Sequence, residues 1–187
     1  MGGVNGVGKT TLTHEVCDKL NCRMVDGSAL LMKELKIPGD YIKLRLLGEF
    51  EKSTALESIF KSLKRKSGTV LFTGHFVKIL AGEISSSKGP WYQYCSALIS
   101  IEGSPRAMAA RIYEDEVTGF RTGRNLFSTQ TTLREQARFL RQAQNVSRTV
   151  MVELSQQFSI PYYSIFNEEK HKEIAIKKLC HIVSEFL

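Results

Sequence analysis

Near the start of the chain, Gly3-Val4-Asn5-Gly6-Val7-Gly8-Lys9-Thr10 fits the pattern G-x-x-x-x-G-K-[ST] at every fixed position. These residue types in this order suit one kind of chemistry. Successive backbone N–H groups form an anion-binding nest. Glycine supplies the backbone angles without a Cβ in the way. Lys9 brings a point charge for outer phosphates, and Thr10, followed by Thr11, brings a hydroxyl for Mg²⁺. A helical pattern follows at once, and its positive end faces the same anion. The expected cofactors are therefore ATP and Mg²⁺, held by Gly3, Asn5, Gly6, Val7, Gly8, Lys9, Thr10 and Thr11.

A loop of this kind normally hangs from a buried strand, yet only Met1 and Gly2 precede Gly3. The favoured expectation is a native chain that starts further upstream. The other is an unusual anchor for the loop.

Arginines complete the chemistry. Phosphoryl transfer depends on positioning and charge neutralisation. A two-substrate cleft needs cations for the acceptor, cations for the transferred group and a means of excluding water. Arg121 and Arg124 lie in a Gly- and Arg-rich stretch that reads as a lid at about 117–131, with Arg111 before it and Arg148 after it. Arg45 lies within the acceptor-side helices expected at about 29–66. No N-K-x-D base-reading motif is present.

Hydrophobic and β-forming runs outline the elements that must position these groups. Helices are expected over 10–20, 29–35, 41–66 (with a break near Gly48), 107–116, 132–158 and 168–186. Strands are expected over 22–25, 69–73, 97–101 and 160–166, and 81–90 reads as a loop. Thr132 and Glu135 fit a capping box. Ile174, Ile176, Leu179, Ile182 and Val183 read as the core side of the last helix. Alternation of strand and helix predicts an α/β, three-layer P-loop NTPase fold: a parallel sheet flanked by helices, with a small mobile lid, in a single domain over 1–187. Strand C-termini then share one edge, where ligands bind. The loop, Asp26-Gly27-Ser28, Gly74-His75, Glu102-Gly103-Ser104 and Asn167 should meet there.

Composition agrees with a packed, basic, single-domain protein. It is 42 % hydrophobic, with a net charge of +7 and a pI near 9.3. Such charge suits nucleic acid or a cleft that offsets many phosphates; the arginine placement favours the cleft. No run suits a membrane span, no secretory leader is expected, and Cys17, Cys22, Cys95 and Cys180 read as reduced thiols of a cytoplasmic protein.

Here the sequence resembles archaeal-type adenylate kinases, within the P-loop nucleoside monophosphate kinases. The resemblance rests on Gly3–Thr11, Asp40 to Arg45, Thr73-Gly74-His75, Arg111 through Arg124, Gln144 to Arg148, and a last strand ending at Asn167. It implies that Arg45 binds the acceptor α-phosphate and that Arg121 and Arg124 close over the transferred group. It implies that Arg148 completes the phosphate cage and that backbone near Asn167 touches the donor adenine. Thr73 departs from the family, many members of which carry aspartate there; its hydroxyl can orient a Mg²⁺-bound water without bringing charge, or Asp26 or Glu102 could take the role.

Several residues have a plain structural reading beside the functional one. Asp26 caps a helix or contacts acceptor or Mg²⁺. His75 is structural or, like Ser28, contacts the acceptor. Arg134, Arg138 and Arg141 form a solvated face, and Trp91, Tyr92 and Tyr94 pack the core or stack on a base. The expected activity is transfer of the γ-phosphate of Mg·ATP to a nucleoside monophosphate, AMP first. The alternatives are an ATP-binding switch or nucleic-acid-associated ATPase, and a small-metabolite kinase. Oligomeric state is left open.

Overall fold

The computed structural model describes residues 1–119, 126–127 and 131–187. Arg121 and Arg124, and most of the lid expected around them, lie outside the described residues.

The central layer is built from two parallel strand pairs. β1 (Arg23–Asp26) pairs with β2 (Val70–Thr73), aligning Asp26 with Thr73. β5 (Leu98–Glu102) pairs with β6 (Tyr162–Phe166), aligning Glu102 with Phe166. Met1 and Gly2 join the pairs. The Met1 amine donates to the Phe72 carbonyl at 2.6 Å, and the Gly74 amide donates to the Met1 carbonyl at 2.9 Å. On the other side, Gly2 donates to Ile99 and accepts from Ile101, at 2.7 and 2.9 Å. The spatial order is therefore β1, β2, residues 1–2, β5, β6. Two residues of extended backbone, bonded on both sides, anchor the loop that follows.

Between β2 and β5 the chain forms an antiparallel hairpin, β3 (Val77–Leu80) with β4 (Glu83–Ser86). Part of it falls in the stretch expected as a loop. Ala81 and Gly82, with φ of 49° and 80°, make its two-residue turn, the positive-φ geometry that suits hairpin twist. The outward residues of β4 are polar, which hid the strand from a reading based on apolar runs. A 3₁₀ turn over Pro90–Tyr94 then buries Trp91 and Tyr92. Their ring centroids lie 5.6 Å apart, and Phe76 lies 6.1 Å from Tyr92. These two rings are core.

Helices cover the sheet. α1 (Lys9–Leu20) buries Leu12, Thr13, Val16 and Cys17. α2 (Gly27–Glu34) starts directly at the end of β1. The expected 41–66 helix divides into α3 (Tyr41–Leu46) and α4 (Glu49–Lys64), because Leu47 and Gly48 adopt extended angles before α4. α5 (Pro105–Val117) packs along α6 (Leu133–Phe158). α6 opens with the expected capping box: the Thr132 amide donates to Glu135 Oε2 at 2.7 Å, and the Glu135 amide to Thr132 Oγ1 at 3.3 Å. Its buried stripe includes Leu140, Ala143, Met151 and Leu154, each such side chain contributing about 1.5–3 kcal/mol when it is a full-sized aliphatic. Arg134, Arg138 and Arg141 lie on its exposed face. α7 (Lys172–Ser184) closes the fold through Ala175, Ile176, Leu179, Ile182 and Val183. Ile174 is exposed; the helical phase gives Ala175 its expected core place.

Candidate functional site: the glycine loop and its flanks

The loop is shaped by φ angles that only glycine adopts readily: 147° at Gly3, 76° at Gly6 and 85° at Gly8. Gly8 is the N-cap of α1 and has no side chain to satisfy the first helical amides. A helix N-terminus without a side-chain cap favours an anion at its positive end. Lys9 folds back so that Nζ donates to the carbonyls of Gly3 and Val4, at 2.9 and 3.0 Å. Thr10 and Thr11 are exposed in the first turn.

Three remote side chains hold the loop in shape. Asn167 Nδ2 donates to the Val7 carbonyl at 2.8 Å, Arg111 Nη1 donates to the Gly6 carbonyl at 3.3 Å, and His75 Nδ1 lies 3.0 Å from the Gly3 carbonyl. A carbonyl partner requires the proton on Nδ1, which fixes the tautomer of His75 in this contact. His75 is thus a loop support here, the structural reading, while Asn167 does more than sit near a base.

Beside the loop lies a groove of about 340 Å³, lined by Gly103, Ser104, Ala107, Met108, Arg111, Asn167, Glu168 and Lys170. Its lining combines the apolar Ala107 and Met108 with the charged Arg111, Glu168 and Lys170, a mixture that suits a flat heteroaromatic ring carrying polar groups. The wall is set by Gln144. Gly103 donates to Gln144 Oε1 at 2.9 Å, and Gln144 Nε2 donates back to the Gly103 carbonyl at 3.1 Å. This buried amide pairs with a strand-to-helix corner as another strand would. The part played by Gln144, and the lining cation Lys170, were not anticipated; a lone amide on the apolar stripe of α6 was the available signal.

The remaining candidates are placed as follows. Asp26 Oδ1 caps α2 through the Ala29 amide at 3.0 Å, while the residue stays exposed at the sheet edge. Ser28 is half-buried in the first turn of α2. Thr73 Oγ1 donates to the Val25 carbonyl at 3.3 Å, so its hydroxyl serves the neighbouring strand. Arg148 grips Glu102 with two donors, Nε to Oε1 at 3.1 Å and Nη2 to Oε2 at 2.5 Å. The carboxylate pushes the guanidinium pKa further up. Ser164 Oγ adds a third bond to Glu102 at 3.3 Å. Arg148 and Glu102, expected respectively in a phosphate cage and as a substitute metal ligand, are thus paired with each other here. Arg45 lies on an exposed turn of α3, its carbonyl accepting from Lys52 Nζ at 3.3 Å.

Among the described residues no group of three or more His, Cys, Asp or Glu side chains could hold a metal. The donor set suits a cation that is carried mainly by phosphate oxygens and water, as Mg²⁺ is, with Thr10 supplying a hydroxyl. No described helix is long and apolar enough to cross a membrane.

A glycine loop on a parallel sheet edge, aimed at an anion and flanked by a ring-sized groove, defines a P-loop nucleotide-binding domain. The AAA domain family profile matches residues 2–146, and the chain belongs to that family. No curated protein matches it by sequence. Its fold is similar to that of a shikimate kinase from Acinetobacter baumannii in complex with shikimate: TM-score 0.62, 18% identity, covering 99% of this chain and 92% of that one. It is also similar to the shikimate kinase of Bacteroides thetaiotaomicron: TM-score 0.61, 15% identity, covering 98% and 96%. At these identities the likeness is one of fold. The expected resemblance to adenylate kinases therefore holds at the level of a P-loop kinase-like domain.

Proposed function

We propose that this protein is a P-loop phosphotransferase that moves the γ-phosphate of Mg·ATP to a hydroxyl of a small metabolite. The observation that carries the acceptor class is Asp26. It ends β1 with its carboxylate exposed at the sheet edge, two strand positions from the backbone that feeds the loop. A carboxylate there accepts a hydrogen bond from a substrate hydroxyl and orients it for attack, whereas it repels an incoming phosphate. The fold likeness to shikimate kinases agrees with this choice.

In this reading Lys9, Thr10 and the loop amides bind the donor triphosphate. When bound, Mg²⁺ neutralises charge on the β- and γ-phosphates, with Thr10 as its protein hydroxyl. Arg111 and Lys170 flank the base groove, and Asn167 satisfies the Val7 carbonyl of the loop. Arg121 and Arg124 cover the transferred group, and Ser28 and Arg45 lie on the acceptor side.

The test is ADP release across a panel of hydroxylated carboxylic acids, sugar acids and nucleoside monophosphates. Turnover with a hydroxyl acceptor, abolished by Asp26→Asn, is expected; asparagine keeps the helix cap, so folding is preserved. Turnover confined to AMP would overturn the acceptor assignment. Absence of turnover with any acceptor, together with tight ATP binding, would point to a switch instead.

A further inference from the structure

The last turn of α1 brings two cysteines together. The Cys22 amide donates to the Cys17 carbonyl at 3.1 Å across Asn21, which takes a left-handed angle with φ of 50°. This closure places the side chains before and after the turn against each other. The two Sγ atoms lie 3.2 Å apart. Cys17 is buried and Cys22 is partly exposed. An apolar pair of any kind satisfies such a turn, so packing alone does not call for two sulfurs. The nucleotide cleft uses neither.

We propose that Cys17 and Cys22 are an oxidisable pair, a modification site that closes to an intramolecular disulfide on exposure to a small-molecule disulfide. Closure needs the sulfurs to move from contact to a bond of about 2.0 Å. Cys22, the accessible partner, gives up its proton and attacks one sulfur of the small disulfide. A mixed disulfide forms and one small thiol leaves. Cys17 then loses its proton to water, and its sulfur attacks the Cys22 sulfur. The Cys17–Cys22 bond forms, the mixed disulfide breaks, and the second small thiol leaves. Two cysteines are oxidised and one small disulfide is reduced to two thiols. Burial pushes the Cys17 thiol up to about 12, which makes it the second reactant, acting through proximity. The product ties the end of α1, whose other end carries Lys9, to the residue that enters β1.

Cys180 is the competing partner, because it lies on α7, which packs against α1, and it too is partly exposed. The experiment exposes the full chain to oxidised glutathione at neutral pH, alkylates it under denaturing conditions and maps the peptides. Two of the four cysteines should become unreactive, joined as Cys17–Cys22, with all four recovered after dithiothreitol. Cys180→Ser should form the same bond, and Cys22→Ala should form none. A Cys22–Cys180 bond, a lasting glutathione adduct on Cys22 without closure, or four unreacted thiols would each overturn the proposal. Mapping of the unmodified sequence decides the matter even where a variant folds poorly.

Discussion

The amide of Asn167 donates to the carbonyl of Val7 at 2.8 Å, joining the end of β6 to the glycine loop across 160 residues of sequence. The contact is buried, and it satisfies one carbonyl of the loop. Asn167→Ala leaves that carbonyl without its partner. A cost of about 1–3 kcal/mol in unfolding free energy is expected, from a urea titration. ATP affinity, measured by calorimetry, should fall as well, because the loop loses its support at Val7.

Lys9 is the loop cation. It bonds to the carbonyls of Gly3 and Val4, and its proposed role is to neutralise the outer phosphates. Lys9→Met should lower kcat by at least about 10²–10³-fold, the scale of removing one preorganised group from a charge-stabilising site. Steady-state kinetics with the identified acceptor checks it, and near-normal turnover would contradict the role given to Lys9.

Gly103 forms a corner that is tight for a side chain. A Cβ there would meet the Asn167 carbonyl oxygen at 3.1 Å and Val7 Cγ2 at 3.2 Å. One neighbour is backbone and the other is a stiff β-branched side chain, so neither yields easily. Gly103→Ala should destabilise the fold by about 1–3 kcal/mol and weaken nucleotide binding through the groove wall. Thermal melts with and without ATP separate the two effects.

Cys95 contributes to an alkaline limit on stability. Burial pushes its thiol up from about 9 to about 11. A raised folded-state value means that this contribution is fully present below pH about 9 and is lost as pH rises through about 11. The loss is on the order of 1–2 kcal/mol, given that Cys95 is only partly buried. Urea midpoints across that range should decline, and Cys95→Ala should show a shallower decline.

Much of this protein is local and therefore legible in its sequence. The loop spacing names its anion because backbone geometry at Gly6 and Gly8 is dictated by the absence of a Cβ. The capping box at Thr132 and Glu135 and the helical phase of α6 depend on residues three and four apart. The hairpin over 77–86 was hidden, because its outer strand is polar and its pairing is a relation between strands. The place of Ile174 was misjudged, because two adjacent positions lie near the boundary of the buried stripe.

What only the tertiary structure decided are the partnerships across distance. Arg148 could equally have faced phosphate, but folding sets it against Glu102, and a carboxylate at that range holds it. Thr73 could have faced any neighbour, but folding sets its hydroxyl to donate to the Val25 carbonyl of the next strand. Met1 and Gly2 carry no strand signal, yet both sides of their backbone are bonded by β2 and β5. Sequence determined which groups could bind phosphate, since that follows from residue chemistry and local backbone. Which of those groups are already engaged follows from competition among partners brought together by folding, and no spacing along the chain encodes it.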